Sequence, residues 1–346
     1  MKDFGNTENG RTAHLFTIED GALKASVSDY GATLISFMIE TEKRSSTDVL
    51  LGYDSVAGYE HLSGCMGAVI GRCANRTGGA AFKLNGRLYR LAANDHGNNL
   101  HSGPDTYFRR FWTTDGTAAS GNTISFGLHS PDGDQGYPGN MDITVTYSIN
   151  EKDGLRIEYR AESDADTVCS MTNHAFFNLN GQGNGDILDH QLEIYADRIT
   201  RADEESIPDG TFIAVQDTPF DFLKMKKIGQ DIDADDPMLK SAGGYDQNFV
   251  LSDSRRAGLF PAAKLVSETS GLAVDVSTDL PGLQFYSGNY LTLRGGKNGS
   301  TYNRRSGLAL ETQYFPNALN IPSFPQPVLK AGEVFMSSTV YRLYSI

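Results

Sequence analysis

The sequence predicts an all-β protein, a large antiparallel β-sandwich with few short helices, and three observations carry that expectation. Short segments alternate apolar and polar residues, glycine-rich turns separate them, and helical periodicity is scarce. In DITVTYSI, Ile143, Val145, Tyr147 and Ile149 alternate with polar neighbours, and beyond a turn at 150–154 Leu155, Ile157, Tyr159 and Ala161 do the same. A period of two sends successive side chains to opposite faces of a sheet, so each run reads as a half-buried strand. The short turn makes the two an antiparallel pair. FKLNGRLYRL sets Asn85–Gly86 between two further runs. A two-residue hairpin loop needs positive φ at both positions, which Asn and Gly tolerate. TISFGLHS, LAVDVST and QFYSGNYLTL are expected to be strands as well.

The turns come next. The chain holds 37 glycines, and its Gly- and Asp-rich stretches at 130–140 and 180–189 read as ordered surface loops. The best helical segments are only a turn or so long, near Ser55–Glu60 and Lys224–Ile228. No repeat, low-complexity linker or break in composition divides the chain. One domain over residues 1–346, built of two packed sheets, is therefore expected.

With 346 residues the chain can bury a large core, and 39% hydrophobic against 21% charged residues is the balance of a soluble globular protein. The formal net charge of −13, with no basic stripe, excludes a nucleic-acid-binding role but does not oppose a small neutral substrate. Cys65, Cys73 and Cys169 are odd in number and lack metal-ligand spacing, so reduced, mostly buried thiols are expected rather than disulfides. The start MKDFGNTENGRTAHLF has no apolar signal core, and no run of apolar residues is long enough to cross a membrane. A cytoplasmic protein, monomeric or weakly dimeric, is the expectation.

Four polar clusters sit within strand-like sequence. GAVIGRCANR carries Arg72, Asn75 and Arg76; NNLHSG carries His101; TNHAFFNLNG carries His174 and Asn178; LETQYFPNALN carries Glu311 and Gln313. Each has a plainer reading. A single histidine in a β protein is more often a satisfied surface or core residue than a catalyst, which is the expectation for His14, His61, His96, His129 and His190. Glu311 follows the apolar run 307–310, and alternation alone would turn it outward to water. The glycines of 64–71 lack the strand–loop–helix setting and the lysine of a phosphate loop. No GxSxG elbow and no zinc-type Cys/His spacing occurs. The residues by themselves lead to a β-sandwich with a possible His/Glu site, with paired carboxylates for glycoside hydrolysis also open.

In order along the chain, these clusters resemble the galactose mutarotase (aldose 1-epimerase) family. GAVIGRCANR is similar to that family's G-x-x-x-G-R-x-A-N-R segment, and the FKLNGRLYRL hairpin follows it. NNLHSG is similar to N-x-L-H-G-G, and TNHAFFNLNG to N-H-x-Y/F-F-N-L. IPDGTFIAVQDTPFDF, GGYDQNFVL, PGLQFYSGNYL and LETQYFPNALN continue the match. The resemblance is colinear from about Leu23 to Leu343, and eight motifs in one order are far more specific than any one.

The resemblance implies a β-supersandwich with an open sugar-binding cleft, Glu311 as general base and His174 as general acid. It implies Asn75, Arg76, His101, Asp246 and Gln284 as substrate-binding residues. Mutarotation passes through the open aldehyde: one group removes the proton of the C1 hydroxyl while another protonates the ring oxygen. A carboxylate and a histidine suit these roles near neutral pH, with Glu311 starting as carboxylate and His174 as imidazolium. Phe176 or Tyr286 would stack on the sugar or simply pack in the core. No metal or redox cofactor is expected.

Three positions depart from the family pattern. Gln247 stands where the family often has His, which would alter how the neighbouring Asp246 is hydrogen-bonded and shift hydroxyl preference. In PDTYFRRFW the pattern G-F-D-K-x-x-W is largely lost, with Thr106 for Gly, Phe108 for Asp and Arg109 for Lys. Ser102 replaces a Gly beside His101. Arg72, Arg109 and Arg110 near these motifs keep open a hexose-6-phosphate epimerase, whose phosphate dianion needs cations. A non-catalytic sugar-binding sandwich would keep Asn75, Arg76 and Asp246 without the Glu311–His174 pair.

Overall fold

The computed structural model describes the chain apart from residues 43, 62–63, 115–120 and 253–256, and the side chains of 44 and 45. The alternating runs form strands as their period requires. Met141–Asn150 pairs antiparallel with Gly154–Ser163 along its whole length, from Met141 opposite Ser163 to Asn150 opposite Gly154. TISFGLHS is the strand Thr123–Ser130 and LAVDVST the strand Leu272–Thr278. All four belong to an eight-stranded sheet whose middle is the long strand Val334–Ser345. Ala81–Leu84 and Arg87–Arg90 form the expected hairpin, with Asn85 at φ 51° and Gly86 at φ 78°.

A second sheet of six strands runs in the order Phe176–Phe177, Leu308–Gln313, Gly282–Tyr286, Asp246–Val250, Arg198–Ala202 and Pro208–Ala214. A third, of five strands, is built from the first 48 residues, beginning with Lys2–Asn6 and ending with Arg44–Asp48. Among the described residues, beside four two-stranded sheets, the sandwich thus has three sheets of five or more strands rather than the two expected. One apolar cluster joins them: Tyr147, Ile157 and Leu343 of the eight-stranded sheet, Phe249, Phe285 and Leu310 of the six-stranded one, and Phe16, Val27 and Phe37 of the third. Each such side chain contributes about 1.5–3 kcal/mol when taken from water. Some of the polar tips in this cluster are paired, as where Tyr341 donates to Leu310 O at 3.0 Å and Tyr147 to Ala32 O at 2.7 Å.

Two expected elements differ. QFYSGNYLTL is strand only as far as Tyr286. Gly288, at φ 64°, turns the chain away, and a Cβ there would lie 2.3 Å from Gly307 O. Around Lys224–Ile228 the chain makes a two-residue edge strand, Lys226–Lys227, and then a 3₁₀ turn. The short helix Val56–His61 matches expectation, whereas Pro237–Ala242 was not anticipated. Its signals are local: Asp236 accepts from the amides of Met238 and Leu239, Pro237 opens the helix, and Gly243 at φ 69° closes it.

Alternation in the six-stranded sheet decides what faces the cleft. Phe249, Phe285 and Leu310 turn into the core, so Asp246 and Asn248, Gln284 and Tyr286, Glu311 and Gln313 share the opposite face. The register sets Asn248, Gln284 and Glu311 side by side across three strands.

Candidate active site

The cleft face is roofed by two segments that glycine allows to approach. Gly67 has φ 67°, and a Cβ on it would stand 1.9 Å from Leu34 O, so no other residue fits. Its amide donates to His174 O at 2.9 Å, and the strand Ala68–Ile70 continues alongside Thr172–His174. The chain then reaches Asn75 and Arg76, where Arg76–Thr77 pairs with Asn99–Leu100 and brings in His101. Asn75, at φ 61°, donates its amide to His101 Nδ1 at 3.1 Å and accepts from the His101 amide at 3.0 Å. His101 Nδ1 being an acceptor, the proton of the neutral ring sits on Nε2.

Six of the seven residues anticipated from sequence line one cavity of about 290 Å³: Asn75, Arg76, His101, His174, Asp246 and Glu311. Gln284 stands behind them and donates from Nε2 to Asp246 Oδ1 at 2.7 Å. Arg76 Nη1 is 3.5 Å from Asp246 Oδ2, and its Nε donates to Asp95 Oδ2 at 2.8 Å. The rest of the wall is apolar or aromatic, from Phe176, Tyr286, Tyr290, Leu291 and Leu293. Phe176 packs on the His174 ring with centroids 4.9 Å apart. The lining thus combines a few polar groups with aromatic and apolar surface, as small-molecule clefts commonly do.

His174 Nε2 lies 3.5 Å from Glu311 Oε1, and both side chains are buried. The outward turn of Glu311 therefore leads into the cleft rather than to bulk water. Burial pushes its carboxyl well above the usual carboxylate range; Asp246 adds to the shift and Arg76 opposes it. Burial holds the His174 imidazole down to about 4. Burial, His174 and Arg76, in that order, keep His101 well below its ordinary value. Both shifts favour the neutral forms, whereas the expected roles begin from a carboxylate and an imidazolium. Low dielectric disfavours two separated charges, whereas either arrangement contains the same single proton.

His101, His174 and Glu311 bring their donor atoms within 4.8 Å of one another, the one such trio among the described residues. Their chemistry suits proton transfer better than a cation. With His101 Nδ1 accepting from Asn75, its Nε2 carries the proton and has no lone pair to offer.

The remaining histidines have ordinary settings. His14, His96 and His129 face Asp29, Asp95 and Asp142, His61 lies near Glu8 and Glu60, and His190 Nε2 accepts from the Leu179 amide. The three cysteines are free thiols. Of the three arginines that kept a phosphate reading open, Arg72 is fully buried. It donates to Ser130, Pro131, Pro138, Gly139 and Thr167. Arg110 is engaged by Asp105 and Asp134. Only the exposed Arg109 borders open space, a neighbouring cavity of about 110 Å³.

The departures from the family pattern are absorbed locally. Gln247 Oε1 accepts the backbone amide of Asp246 at 2.8 Å, while the Asp246 carboxylate is held by Gln284 and Arg76. Ser102 Oγ accepts from the Cys73 amide and donates to its carbonyl. Tyr107–Arg109 forms a 3₁₀ turn anchored by buried Tyr107, whose carbonyl accepts from Trp112 Nε1 at 3.1 Å. Sequence reasoning missed Asp95, Tyr290 and Cys65. Nothing in the spacing of Asp95 marks it, because its partner Arg76 lies 19 residues earlier.

A β-sandwich whose cleft encloses a carboxyl–imidazole pair is equipped for proton transfer, and its similarities to known proteins make the protein an isomerase of the epimerase type. The aldose 1-epimerase family model matches residues 14–342. A galactose mutarotase of Pongo abelii is 37% identical over 335 residues, 96% of this chain and 94% of that protein. An aldose 1-epimerase of Escherichia coli (strain K12) is 36% identical over 337 residues, 96% of each. Among solved structures, a galactose 1-epimerase from Lactobacillus acidophilus superposes with a TM-score of 0.85 at 26% identity, covering 99% of this chain and 97% of that one. An aldose epimerase homologue from C. elegans gives 0.86 at 27%, covering 96% and 99%. The chain belongs to the aldose 1-epimerase family. No helix among the described residues is long and apolar enough to cross a membrane.

Proposed function

We propose that the protein interconverts the α and β anomers of free aldohexoses, D-galactose and D-glucose among them, with Glu311 as general base and His174 as general acid. The observation that carries this reading is the buried Glu311–His174 pair, 3.5 Å apart and sharing a cavity with Arg76 and Asp246. The sugar's C1 hydroxyl gives its proton to Glu311 as the C1–O5 bond breaks, and His174 protonates O5. Rotation about C1–C2 presents the other face of the aldehyde, and closure reverses both transfers. For opening, the pair's single proton must lie on His174. Arg76 and the C1 hydroxyl both favour the Glu311 carboxylate and supply that bias.

Arg76 and Asp246 bind sugar hydroxyls through charge-assisted hydrogen bonds, His101 donates from Nε2, and Asn75 adds a polar contact. Gln284 acts through Asp246. No step calls for a metal or redox cofactor. The free thiols Cys65, Cys73 and Cys169 suit a reducing, cytoplasmic setting.

Polarimetry on freshly dissolved α-D-galactose and α-D-glucose tests the reading. Catalytic amounts of protein should speed the approach to anomeric equilibrium, and no acceleration on any free aldose would overturn it. With Arg72 and Arg110 engaged elsewhere, glucose 6-phosphate followed by NMR should equilibrate more slowly than glucose.

A further inference from the structure

Glu311 Oε1 faces His174, whereas Oε2 is buried without a protein partner. It is not alone. Gln284 Oε1, both amide atoms of Asn248 and both of Gln313 are buried and unpartnered too. These six atoms belong to four residues on one face of the six-stranded sheet. Asn248, Gln284 and Glu311 are direct cross-strand neighbours, and Gln313 is two residues beyond Glu311 on the same face. Each of the four is nine-tenths buried or more. A Cβ on Gly282, which pairs with Gln313, would meet Asn248 Oδ1 at 2.5 Å and Phe315 at 2.9 Å. The Asn248 amide therefore lies over Gly282, toward Gln313. Val250, Phe315, Ala318 and Phe324 close this end with an apolar cluster.

Buried amides left without partners cost about 1–3 kcal/mol per group, so a concentration of them beside one carboxyl calls for a polar occupant. We propose that Asn248 and Gln313 are positioning residues for Glu311, holding with Gln284 an ordered water that hydrogen-bonds Glu311 Oε2. A water takes two to four polar partners in such a site, and this patch offers both donors and acceptors. Donation to Oε2 stabilises the carboxylate over the acid and fixes the oxygen that faces His174. The other ionisable groups facing Glu311 are His174, His101, Arg76 and Asp246 around the cavity, Cys65 on its wall, and Tyr286 and Tyr341. None of them supplies a hydrogen bond to Oε2.

The inference rests on Glu311 as general base, and two measurements test it. A high-resolution crystal structure should show a water bonded to Glu311 Oε2 and to Asn248 or Gln313; amides bonded to each other, with no water on Oε2, would overturn it. In Gln313→Met, which keeps length and removes both polar atoms, the alkaline-going limb of kcat against pH should move up by about one unit with KM changed less than about two-fold. A limb unmoved from wild type would overturn the positioning role. Glu311→Gln assayed alongside separates the two claims: full activity there removes the base reading itself, whereas its loss with an unmoved Gln313→Met limb removes only the role of the amides.

Discussion

Arg76 is held between two carboxylates, and the closer of them is Asp95, whose Oδ2 accepts from Arg76 Nε at 2.8 Å while Asp246 Oδ2 stands 3.5 Å from Nη1. Asp95 thereby keeps the guanidinium from closing fully onto Asp246, and both remain available to hydroxyls. In Asp95→Asn the ion pair is lost and the amide oxygen holds Arg76 Nε more weakly, so Arg76 is freer to close onto Asp246. Hydrogen bonds to charged groups contribute about 1.5–3 kcal/mol, so KM for galactose should rise about ten-fold or more. Because Asp95 does not touch the Glu311–His174 pair, kcat should stay within about three-fold. Steady-state polarimetry at several sugar concentrations separates the two constants, and a fall in kcat with KM unchanged would refute the assignment.

Arg72 should behave as a structural residue. Its guanidinium satisfies the carbonyls of Ser130, Pro131, Pro138 and Gly139 together with two hydroxyls, far from open solvent. Arg72→Met strips those acceptors of a donor and should destabilise the fold by about 3–5 kcal/mol, read as a shift in the urea midpoint. A stable variant with a raised KM would instead make Arg72 a ligand residue.

Glu311 should make stability fall with pH. Its folded-state pKa is raised from 4.5 by burial, so the folded chain binds the proton more tightly than the unfolded one. That contribution is complete below the unfolded value and is lost as pH rises through the folded one. Glu311→Gln removes it, so the variant should gain on wild type as pH rises above 4.5, by about 1.4 kcal/mol for each unit of the raised interval. His174, depressed from 6.5 to about 4, has the opposite sign: its stability is present above 6.5 and lost as pH falls toward 4. His174→Asn should gain on wild type in that acidic window. Denaturation midpoints across pH check both signs.

Much of this was legible in the sequence, for reasons particular residues make clear. Alternation in DITVTYSI and the Asn85–Gly86 turn are local properties, and both elements formed as their period and φ demands require. The third sheet was not legible, because its place depends on non-local contacts such as Tyr147 with Ala32. QFYSGNYLTL misled because the positive φ of Gly288 and its close approach to Gly307 outweigh the β propensity around them. Glu311 shows the same limit at the site. Its direction out of the core follows from its strand, but only the folding of 64–76 and 99–101 over that face makes the outside a cleft. Asp95 and the amides of Asn248 and Gln313 gained their meaning from register and packing, which no spacing encodes.

The most direct test is the turnover of α-D-galactose by Glu311→Gln, followed by polarimetry at neutral pH with folding verified. The side chain keeps its shape and loses its capacity to accept a proton. General acid–base participation is worth about 10²–10⁴-fold, so kcat should fall by that factor while the variant still binds the sugar. A Glu311→Gln enzyme turning over at the wild-type rate would contradict the proton-transfer role of the Glu311–His174 pair.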